Sequence, residues 1–168
     1  MAIKGAVLES GRLAPHLLVR GAAQAMEFYQ RALGAEELYR SPLPHSGGLH
    51  IQCRIGQAML MLTDEGPEHC GEGQHPLASP QTLKGSSVTL DIRVDDVDAA
   101  FQRAVDAGAT ATMPPMEMFW GDRFGMLIDP FGHVWSLTTV KEELTPEEVE
   151  RRMAELMKQI QQPQPSGE

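Results

Sequence analysis

Two short apolar stretches of this chain each run directly into a segment with helical spacing. Residues 14–20 precede a predicted helix over 22–33, and residues 88–94 precede a predicted helix over 97–107. Both helical segments carry an aromatic residue followed by Gln-Arg-Ala, and both end at Gly-Ala. A strand–helix unit that occurs twice in one small chain predicts two similar modules that share a core.

Further stretches with the alternation of β-strands follow each predicted helix. They lie near 37–41, 48–55 and 57–63 in the first half, and near 110–113, 123–128 and 133–139 in the second. The pattern places module one at about 13–63 and module two at about 87–140. Residues 64–86 are rich in Gly, Pro and polar side chains, and we expect them to link the two modules.

The last part of the chain predicts an amphipathic helix within residues 141–162, followed by a disordered tail over 163–168. Thr145 is the predicted N-cap, Pro146 suits the first helical position, and Glu148 completes a capping box. Apolar side chains recur on one face of this helix, namely Val149, Met153, Leu156, Met157 and Ile160. Such a face predicts that the helix docks on the domain or on a partner chain.

The composition is that of an ordinary globular domain and argues against several classes of function. The chain has 168 residues, 42% hydrophobic and 22% charged, which predicts one domain. No apolar run reaches the roughly 18 residues that a membrane helix needs, and we expect no secretory signal, so the expected location is cytoplasmic. A net charge of −9 argues against a nucleic-acid partner. Cys53 and Cys70 are not expected to form a disulfide.

Strand alternation sorts the side chains of each predicted sheet onto two faces. In 88–94 the apolar residues share the face expected to pack on the helices, while Thr89, Asp91 and Arg93 share the other face. The same parity places further side chains on the face away from the helices: Ala14, His16, Leu18, Arg20, His50, Gln52, Arg54, Met59, Met61, Thr63, Val134, Ser136 and Thr138. That face therefore mixes polar and apolar groups, unlike the face that forms the core.

A turn signal before the last predicted strand completes the pattern. Asp129-Pro-Phe-Gly-His133 has a proline that fixes φ and a glycine that gives the turn its freedom. Together with Glu27-Phe-Tyr-Gln-Arg-Ala-Leu-Gly-Ala35 and Phe119-Trp-Gly-Asp-Arg-Phe-Gly125, it resembles the vicinal oxygen chelate superfamily and, within it, the PhnB-like branch. The superfamily includes glyoxalase I, extradiol dioxygenases, and fosfomycin and bleomycin resistance proteins. The resemblance covers roughly residues 13–140.

The resemblance implies an α+β fold. Two βαβββ modules would form curved mixed sheets around a cavity, in a single domain over 1–140 that the C-terminal helix follows. It also implies a small-molecule ligand on the concave faces of the sheets. Because such modules leave large edges and helix faces to bury, we expect a homodimer, with the modules paired within one chain or exchanged between two chains. The side chains expected to contact that ligand are His16, His50, Gln52, Met59, Met61, Thr89, Asp91, Arg93, Trp120, Arg123 and Ser136.

The resemblance also bears on metal binding. Enzymes of the superfamily hold a divalent ion with His, Gln or Glu in the first and last strands of each module. The matching positions here fall on Ala14, Met61, Thr89 and Ser136, which do not offer the three or more donors that such an ion needs. We therefore expect a small-molecule-binding protein of the glyoxalase/bleomycin-resistance type, without the usual divalent metal and without a cofactor.

Two other sets of residues leave a metal site open as an alternative. His16, His50 and Asp91 lie on one predicted face, and a shifted site there would make the protein a metal-dependent lyase, isomerase or dioxygenase. A weaker cluster, His-Cys-x4-His, lies within His69–His75 of the linker. Whether a bound ligand is chemically changed is therefore left open by the sequence.

Trp120 and Arg123 each fit two roles. Trp120 is predicted either to form an aromatic wall over the cavity or to belong to a fold-maintaining turn. Arg123 is predicted either to bind an anionic ligand or to brace the turn through Asp122 or Asp91. A further hypothesis for the whole protein is an interaction module whose function resides in the C-terminal helix and the dimer surface.

Overall fold

A computed structural model describes residues 13–44, 47–66 and 77–161 of the chain. The elements in these ranges are β1 (His16–Val19), α1 (Ala22–Leu33), β2 (Glu36–Pro42), β3 (Leu49–Ile55), β4 (Ala58–Asp64), α2 (Pro80–Leu83), β5 (Thr89–Arg93), α3 (Val97–Asp106), β6 (Thr110–Glu117), β7 (Asp122–Ile128), β8 (Val134–Val140) and α4 (Pro146–Gln161). The repeated strand–helix unit of the sequence corresponds to β1–α1 and β5–α3.

Two four-stranded sheets repeat one topology. The strands lie in the order β1-β4-β3-β2 in the first sheet and β5-β8-β7-β6 in the second. In each sheet the first strand runs parallel to the last one, and the other neighbours are antiparallel. His16 pairs with Met61 in the first sheet, and Asp91 pairs with Ser136 at the matching position of the second. The predicted α+β fold of two βαβββ modules followed by a C-terminal helix is confirmed.

The helices cover one face of each sheet and form a single core between the modules. Leu17 and Val19 of β1 are buried in this core, whereas His16 is exposed on the other face. Tyr29 of α1 and Cys53 of β3 are fully buried, as the sequence predicted. Burial raises the pKa of Cys53 to about 12, so its thiol stays protonated and behaves as a small apolar group.

Each of the two main helices begins against a side chain from the end of its module's last strand. The Asp64 Oδ1 atom of β4 accepts hydrogen bonds from the backbone N–H groups of Gly21 (2.9 Å) and Ala22 (2.7 Å) at the start of α1. In the second module, Thr139 Oγ1 of β8 accepts from Val97 N (2.8 Å) at the start of α3. These contacts satisfy N–H groups that a helix start leaves without an intrahelical acceptor.

A buried carboxylate ties the two modules together. Asp129 follows β7 and is 3% exposed. Its Oδ2 atom accepts from the hydroxyl of Tyr29 (2.6 Å) and from Trp135 Nε1 (2.9 Å), and its Oδ1 atom accepts from the backbone N–H of Phe131 and of His133 (2.9 Å each). Burial, and then the Asp129 charge, raise the pKa of Tyr29 well above its ordinary value, so the hydroxyl keeps its proton as a donor.

The turn over residues 129–133 has the conformation that its sequence predicted. Gly132 has φ +89°, and a Cβ atom there would lie 2.9 Å from the Cβ of Pro80, so glycine is needed for both φ and space. His133 closes the turn and contacts the first module, where its Nε2–H donates to the carbonyl of Leu18 (3.2 Å). Burial lowers the pKa of His133, which fits a neutral structural imidazole.

Glu65, just after β4, binds residues at both ends of the segment that connects the modules. Its carboxylate accepts from Arg20 Nε (2.9 Å), from the backbone N–H and hydroxyl of Ser79 (2.9 Å each) and from the Thr82 hydroxyl (2.6 Å). Ser79 is the N-cap of α2, a single helical turn inside the predicted linker. Burial raises the pKa of Glu65, but these four bonds outweigh it and lower the pKa to about 2. The carboxylate is therefore ionised throughout the neutral range.

The C-terminal helix begins where the sequence predicted. Thr145 Oγ1 accepts from the backbone N–H of Glu148 (3.3 Å), but the Glu148 carboxylate binds Arg151 and Arg152 instead of closing the box. The apolar face stays exposed on the described chain, with none of the α4 residues buried. The predicted tail over 163–168 lies outside the described residues. Among the helices described, none combines the length and apolar character needed to cross a membrane.

Candidate functional site

The face of the first sheet away from the helices carries a cluster of hydrogen-bonded polar side chains. His16 of β1 and His50 of β3 approach the Thr63 hydroxyl from opposite sides, with His16 Nε2 at 2.7 Å and His50 Nδ1 at 2.9 Å from Oγ1. The two imidazole rings meet edge to face, with their centroids 5.6 Å apart. Gln52 Nε2 lies 3.5 Å from His50 Nε2. The structure thus brings together three of the predicted site residues around Thr63, which is itself 4% exposed.

Met59 and Met61 lie on the same strand, β4, and alternate with the core residues Leu60 and Leu62. Met59 is 8% exposed and Met61 is partly exposed. Both therefore belong to the open face of the first sheet, as the parity predicted. They give that face an apolar, adaptable portion beside the imidazoles.

Thr89, Asp91 and Arg93 occupy the corresponding open face of the second sheet. All three are exposed, and they alternate with the partly buried Leu90 and Ile92. Asp91 Oδ1 accepts a hydrogen bond from the hydroxyl of Ser136 on the neighbouring strand β8. Asp91 also borders three of the described clefts, and one of them, of about 630 Å³, runs between the β3–β4 turn and the start of α3.

A smaller cleft of about 350 Å³, the Trp120 cleft, is lined by Asp91, Ile92, Arg93, Trp120, Asp122, Phe124 and Thr138. The Trp120 indole packs edge to face on Phe124, with ring centroids 5.9 Å apart, and its Nε1–H donates to Asp122 Oδ2 at 3.1 Å. The indole is thereby fixed by an aromatic contact and by a hydrogen bond. The geometry is compatible with both roles predicted for Trp120, because the indole borders a cleft and also braces the turn through Asp122.

Arg123 lies elsewhere. Residues of β7 alternate, so Arg123 shares the helix face of the sheet with the buried Gly125 and Leu127. Its guanidinium forms a two-bond ion pair with Asp98 of α3 (2.7 and 2.8 Å). The predicted ligand contact of Arg123 is therefore not supported by its position. Nor does it pair with Asp122 or Asp91, because both of those carboxylates point to the opposite face.

The alternative metal ligands are divided between the two sheets. His16 and His50 meet at Thr63, whereas Asp91 bonds to Ser136. Within residues 13–44, 47–66 and 77–161, no three His, Cys, Asp or Glu side chains are grouped so that they could hold one metal ion. The second metal cluster proposed from the sequence, within His69–His75, lies outside the described residues.

The sequence analysis missed two contacts on the open faces of the sheets, that of Phe124 with Trp120 and that of Thr63 with the two histidines. Phe124, which supports Trp120, could have been found by extending strand parity through β7, because it alternates with the buried Gly125. Thr63 was placed on the correct face, but its contact with both histidines depends on the pairing of β4 with β1 and β3. No local signal in the sequence reports that pairing.

Comparison with known proteins identifies the family. The sequence profile described as the Glyoxalase/Bleomycin resistance protein/Dioxygenase superfamily matches residues 11–137, which cover nearly all of both modules. The chain belongs to this superfamily. The uncharacterized protein Mb0911c of Mycobacterium bovis is 42% identical over 142 residues, which are 84% of this chain and 91% of that protein. The uncharacterized protein At5g48480 of Arabidopsis thaliana is 31% identical over 127 residues, or 75% of this chain and 76% of that protein.

Solved structures of other proteins share the fold. TioX from Micromonospora has a TM-score of 0.57 and 23% identity, and the match covers 80% of this chain and all of TioX. The fosfomycin resistance protein FosX from Listeria monocytogenes, crystallised with Mn(II) and sulfate, has a TM-score of 0.56 and 18% identity over 83% of this chain and 96% of FosX. At these identities the likeness concerns the fold alone.

Proposed function

We propose that this superfamily member binds a small molecule in the Trp120 cleft and that it does so without the divalent metal of its enzymatic relatives. The observation that carries the proposal is the indole of Trp120, held in place by Phe124 and Asp122 opposite polar side chains. A preformed aromatic wall with a few converging polar groups is the usual composition of a small-molecule site. A ligand with an aromatic or apolar ring would lie on the indole.

The polar side of the cleft suggests how such a ligand would be oriented. Asp91 offers carboxylate oxygens, and Arg93 offers guanidinium N–H groups. A ring substituent with a hydrogen-bond donor would face Asp91, and one with an acceptor would face Arg93. We place the protein in the PhnB-like branch, on the strength of the three sequence motifs, and we expect a homodimer.

The metal-free part of the proposal rests on the donors present at the family's ligand positions. Ala14 offers no donor and Met61 only a thioether, while Thr89 and Ser136 offer neutral hydroxyls. The Ser136 hydroxyl is in addition a donor to Asp91. Divalent ions of this kind are held by carboxylate, imidazole or thiolate ligands, so this set does not fit one.

Binding should depend on the indole. Compounds from a library of aromatic antibiotics and metabolites that raise the melting temperature of the wild type would be taken to calorimetry. We expect Trp120→Ala to weaken binding of these compounds by roughly 30-fold or more, the loss typical of an aromatic anchor that a ligand covers, and Trp120→Phe to retain part of the affinity. Arg123→Ala is the matched control, because Arg123 pairs with Asp98 on the other face and should leave affinity unchanged. Undiminished binding by Trp120→Ala, or no hit in the screen, would contradict the proposal.

The alternative function is a metal-dependent lyase, isomerase or dioxygenase, and the observation that favours it is the convergence of His16 and His50. Elemental analysis separates the two. Protein purified without chelator or metal-affinity tag would be incubated with Zn, Ni, Mn or Fe ions and dialysed. We expect no stoichiometric ion to remain, since no third ligand joins the two imidazoles in the described chain. A stoichiometric ion that is lost in His16→Ala would establish the alternative.

A further inference from the structure

The outer edge of strand β5 carries backbone groups that the described fold does not use. β5 ends the second sheet, where its neighbour is β8. In a parallel pair, each residue directs its N–H and C=O groups to one side, and the next residue directs them to the other. Val94 N donates to Thr138 O of β8, so the residues that face the outer edge are Thr89, Asp91 and Arg93. Among the described residues, no hydrogen bond reaches their outward N–H and C=O groups.

Two clefts run along this edge. One, of about 200 Å³, is bordered by Thr89–Ile92 on one side and by Pro15 and residues 58–60 of β4 on the other. The second is the cleft of about 630 Å³, which is bordered by residues 91–96 and, in module one, by residues 55–58. The two clefts share part of their lining and are continuous along the edge, and we call them together the β5 groove.

The opposite wall of the β5 groove also contains a strand edge that is not paired to its end. β1 pairs with β4 from His16 onward, and Met61 N donates to Pro15 O at 2.9 Å. One step earlier in this ladder, the carbonyl of Met59 would accept from the N–H of residue 15, but proline has none. Met59 borders the groove, and its carbonyl has no backbone donor there in the described chain. Unused backbone groups therefore lie on both walls.

We propose that the β5 groove binds an extended peptide segment, which adds to β5 as a further strand. Strand addition satisfies an open sheet edge through main-chain hydrogen bonds. β5 itself has five residues, so we expect a segment of about five residues. Because module one forms the second wall, the groove admits one extended segment and not the sheet of a second folded copy.

The side chains around the β5 groove define the chemistry of the peptide. Asp95 and Asp96 lie at one end, at the start of α3, together with Arg103. Asp96 caps α3 with its Oδ1 atom, which leaves its other oxygen for a ligand. Two carboxylates outnumber one guanidinium, so a Lys or Arg side chain suits this end. Ile55 and Ile92 line the middle of the groove, where β-branched side chains would pack.

The peptide proposal is independent of the Trp120 cleft. Asp91 and Arg93 line that cleft with side chains on the open face, whereas the peptide uses their backbone groups at the edge. We therefore expect Trp120→Ala to leave peptide affinity unchanged. Failure of either proposal would leave the other one standing.

Amide hydrogen exchange of the full chain, read for each residue by NMR, tests the edge directly. In the free protein we expect fast exchange at Asp91 and Arg93 and slow exchange at Ile92 and Val94, whose N–H groups face β8. The probes are two acetylated and amidated pentapeptides, Lys-Val-Thr-Val-Thr and Thr-Val-Thr-Val-Lys, which bring the lysine to the acidic end in either strand direction. A bound probe should slow exchange at Asp91 and Arg93 roughly tenfold or more.

Two results of this experiment would overturn the proposal. Slow exchange at Asp91 and Arg93 in the free protein would show that the edge is already covered, by residues 1–12 or by a second copy. Fast exchange that persists with both probes in excess would show that the groove does not accept a strand.

Calorimetry with matched controls separates strand addition from binding by side chains alone. The same peptides methylated at every backbone nitrogen have no backbone donors and should not bind, and Glu in place of Lys should weaken binding roughly tenfold. Thr89→Pro removes one outward N–H and should also weaken binding roughly tenfold, whereas Thr89→Ala keeps it and should bind as the wild type does. The methylated peptides keep the test valid on the wild type even if Thr89→Pro fails to fold. Equal binding of methylated and unmethylated peptides would overturn strand addition.

Discussion

Replacing Asp129 with alanine is expected to lower the free energy of unfolding by about 3 to 5 kcal/mol, or to prevent folding altogether. The carboxylate is buried and accepts hydrogen bonds from Tyr29, Phe131, His133 and Trp135. Alanine would leave all four donors without an acceptor inside the core, and each such group carries a desolvation cost. The modules would also lose the polar contact that joins α1 to the turn after β7.

Urea denaturation followed by circular dichroism measures this change. Asp98→Ala is the matched control, because Asp98 is an acidic residue in an exposed ion pair with Arg123, and such pairs contribute little to stability. Tyr29→Phe removes one of the four donors and should cost about 1 to 2 kcal/mol. Equal stabilities of Asp129→Ala and Asp98→Ala would show that the buried carboxylate does not hold the modules together.

Replacing Asp64 with alanine should have the next largest effect, a loss of about 2 to 4 kcal/mol in the free energy of unfolding. Asp64 Oδ1 accepts from Gly21 N and Ala22 N, and Oδ2 accepts from Leu49 N at 2.8 Å. Gly21 is the N-cap of α1 and has no side chain to supply an acceptor of its own. Without Asp64, the first turn of α1 and the first residue of β3 lose their polar partners together.

Thr139 is the natural comparison for Asp64, since its side chain also accepts a hydrogen bond from the backbone at the start of a helix, here α3. Its hydroxyl accepts one hydrogen bond, from Val97 N, and donates one to the carbonyl of Val94. In addition, Asp96 caps α3 by accepting from Ala99 N at 3.0 Å. Thr139→Val should therefore cost only about 1 to 2 kcal/mol by the same urea measurement. If Thr139→Val were as unstable as Asp64→Ala, the start of α3 would depend on its strand-end side chain as strongly as the start of α1 does, contrary to this prediction.

The fold was predictable because its signals are local. Period-two alternation separated Leu17 and Val19 from His16 without knowledge of the strand order, and the repeated helix signature indicated two equivalent modules. Asp-Pro-x-Gly predicted the turn at Gly132, and Thr145 predicted the start of α4. Each of these depends on neighbours within a few residues, which is the range over which propensity and pattern act.

The features that the sequence did not reveal are contacts across long separations. The sequence pattern assigned Asp64 to the linker, and only the folded chain shows that its carboxylate accepts hydrogen bonds from the start of α1 and of β3. Thr63 reads as one more polar residue on an open face, although two histidines from different strands converge on it. Arg123 was predicted to bind an anionic ligand or to brace the turn through Asp122 or Asp91, but it faces α3 instead, because one step along a strand reverses the face.

For strand β6, the local sequence pattern predicted an end that lies four residues before the end seen in the structure. The sequence suggested a short strand over 110–113, and the structure extends it to Glu117. Pro114 and Pro115 would interrupt a central strand, because proline cannot donate to the ladder. β6 lies at the edge of the second sheet, and its pairing with β7 has irregularities after Ala111 and after Met113. The edge position and these bulges accommodate both prolines.

The matching positions of the two sheets carry different chemistry, and this has a consequence for how the molecule can diversify. His16 of the first sheet corresponds to Asp91 of the second, and Met61 corresponds to Ser136. An internal duplication provides two copies of one scaffold, each with its helix start fixed from the end of its own last strand. Substitutions on one inner surface then leave the other surface intact. The two open faces can therefore change independently, and they already differ, since the first presents imidazole and thioether groups and the second presents carboxylate and indole.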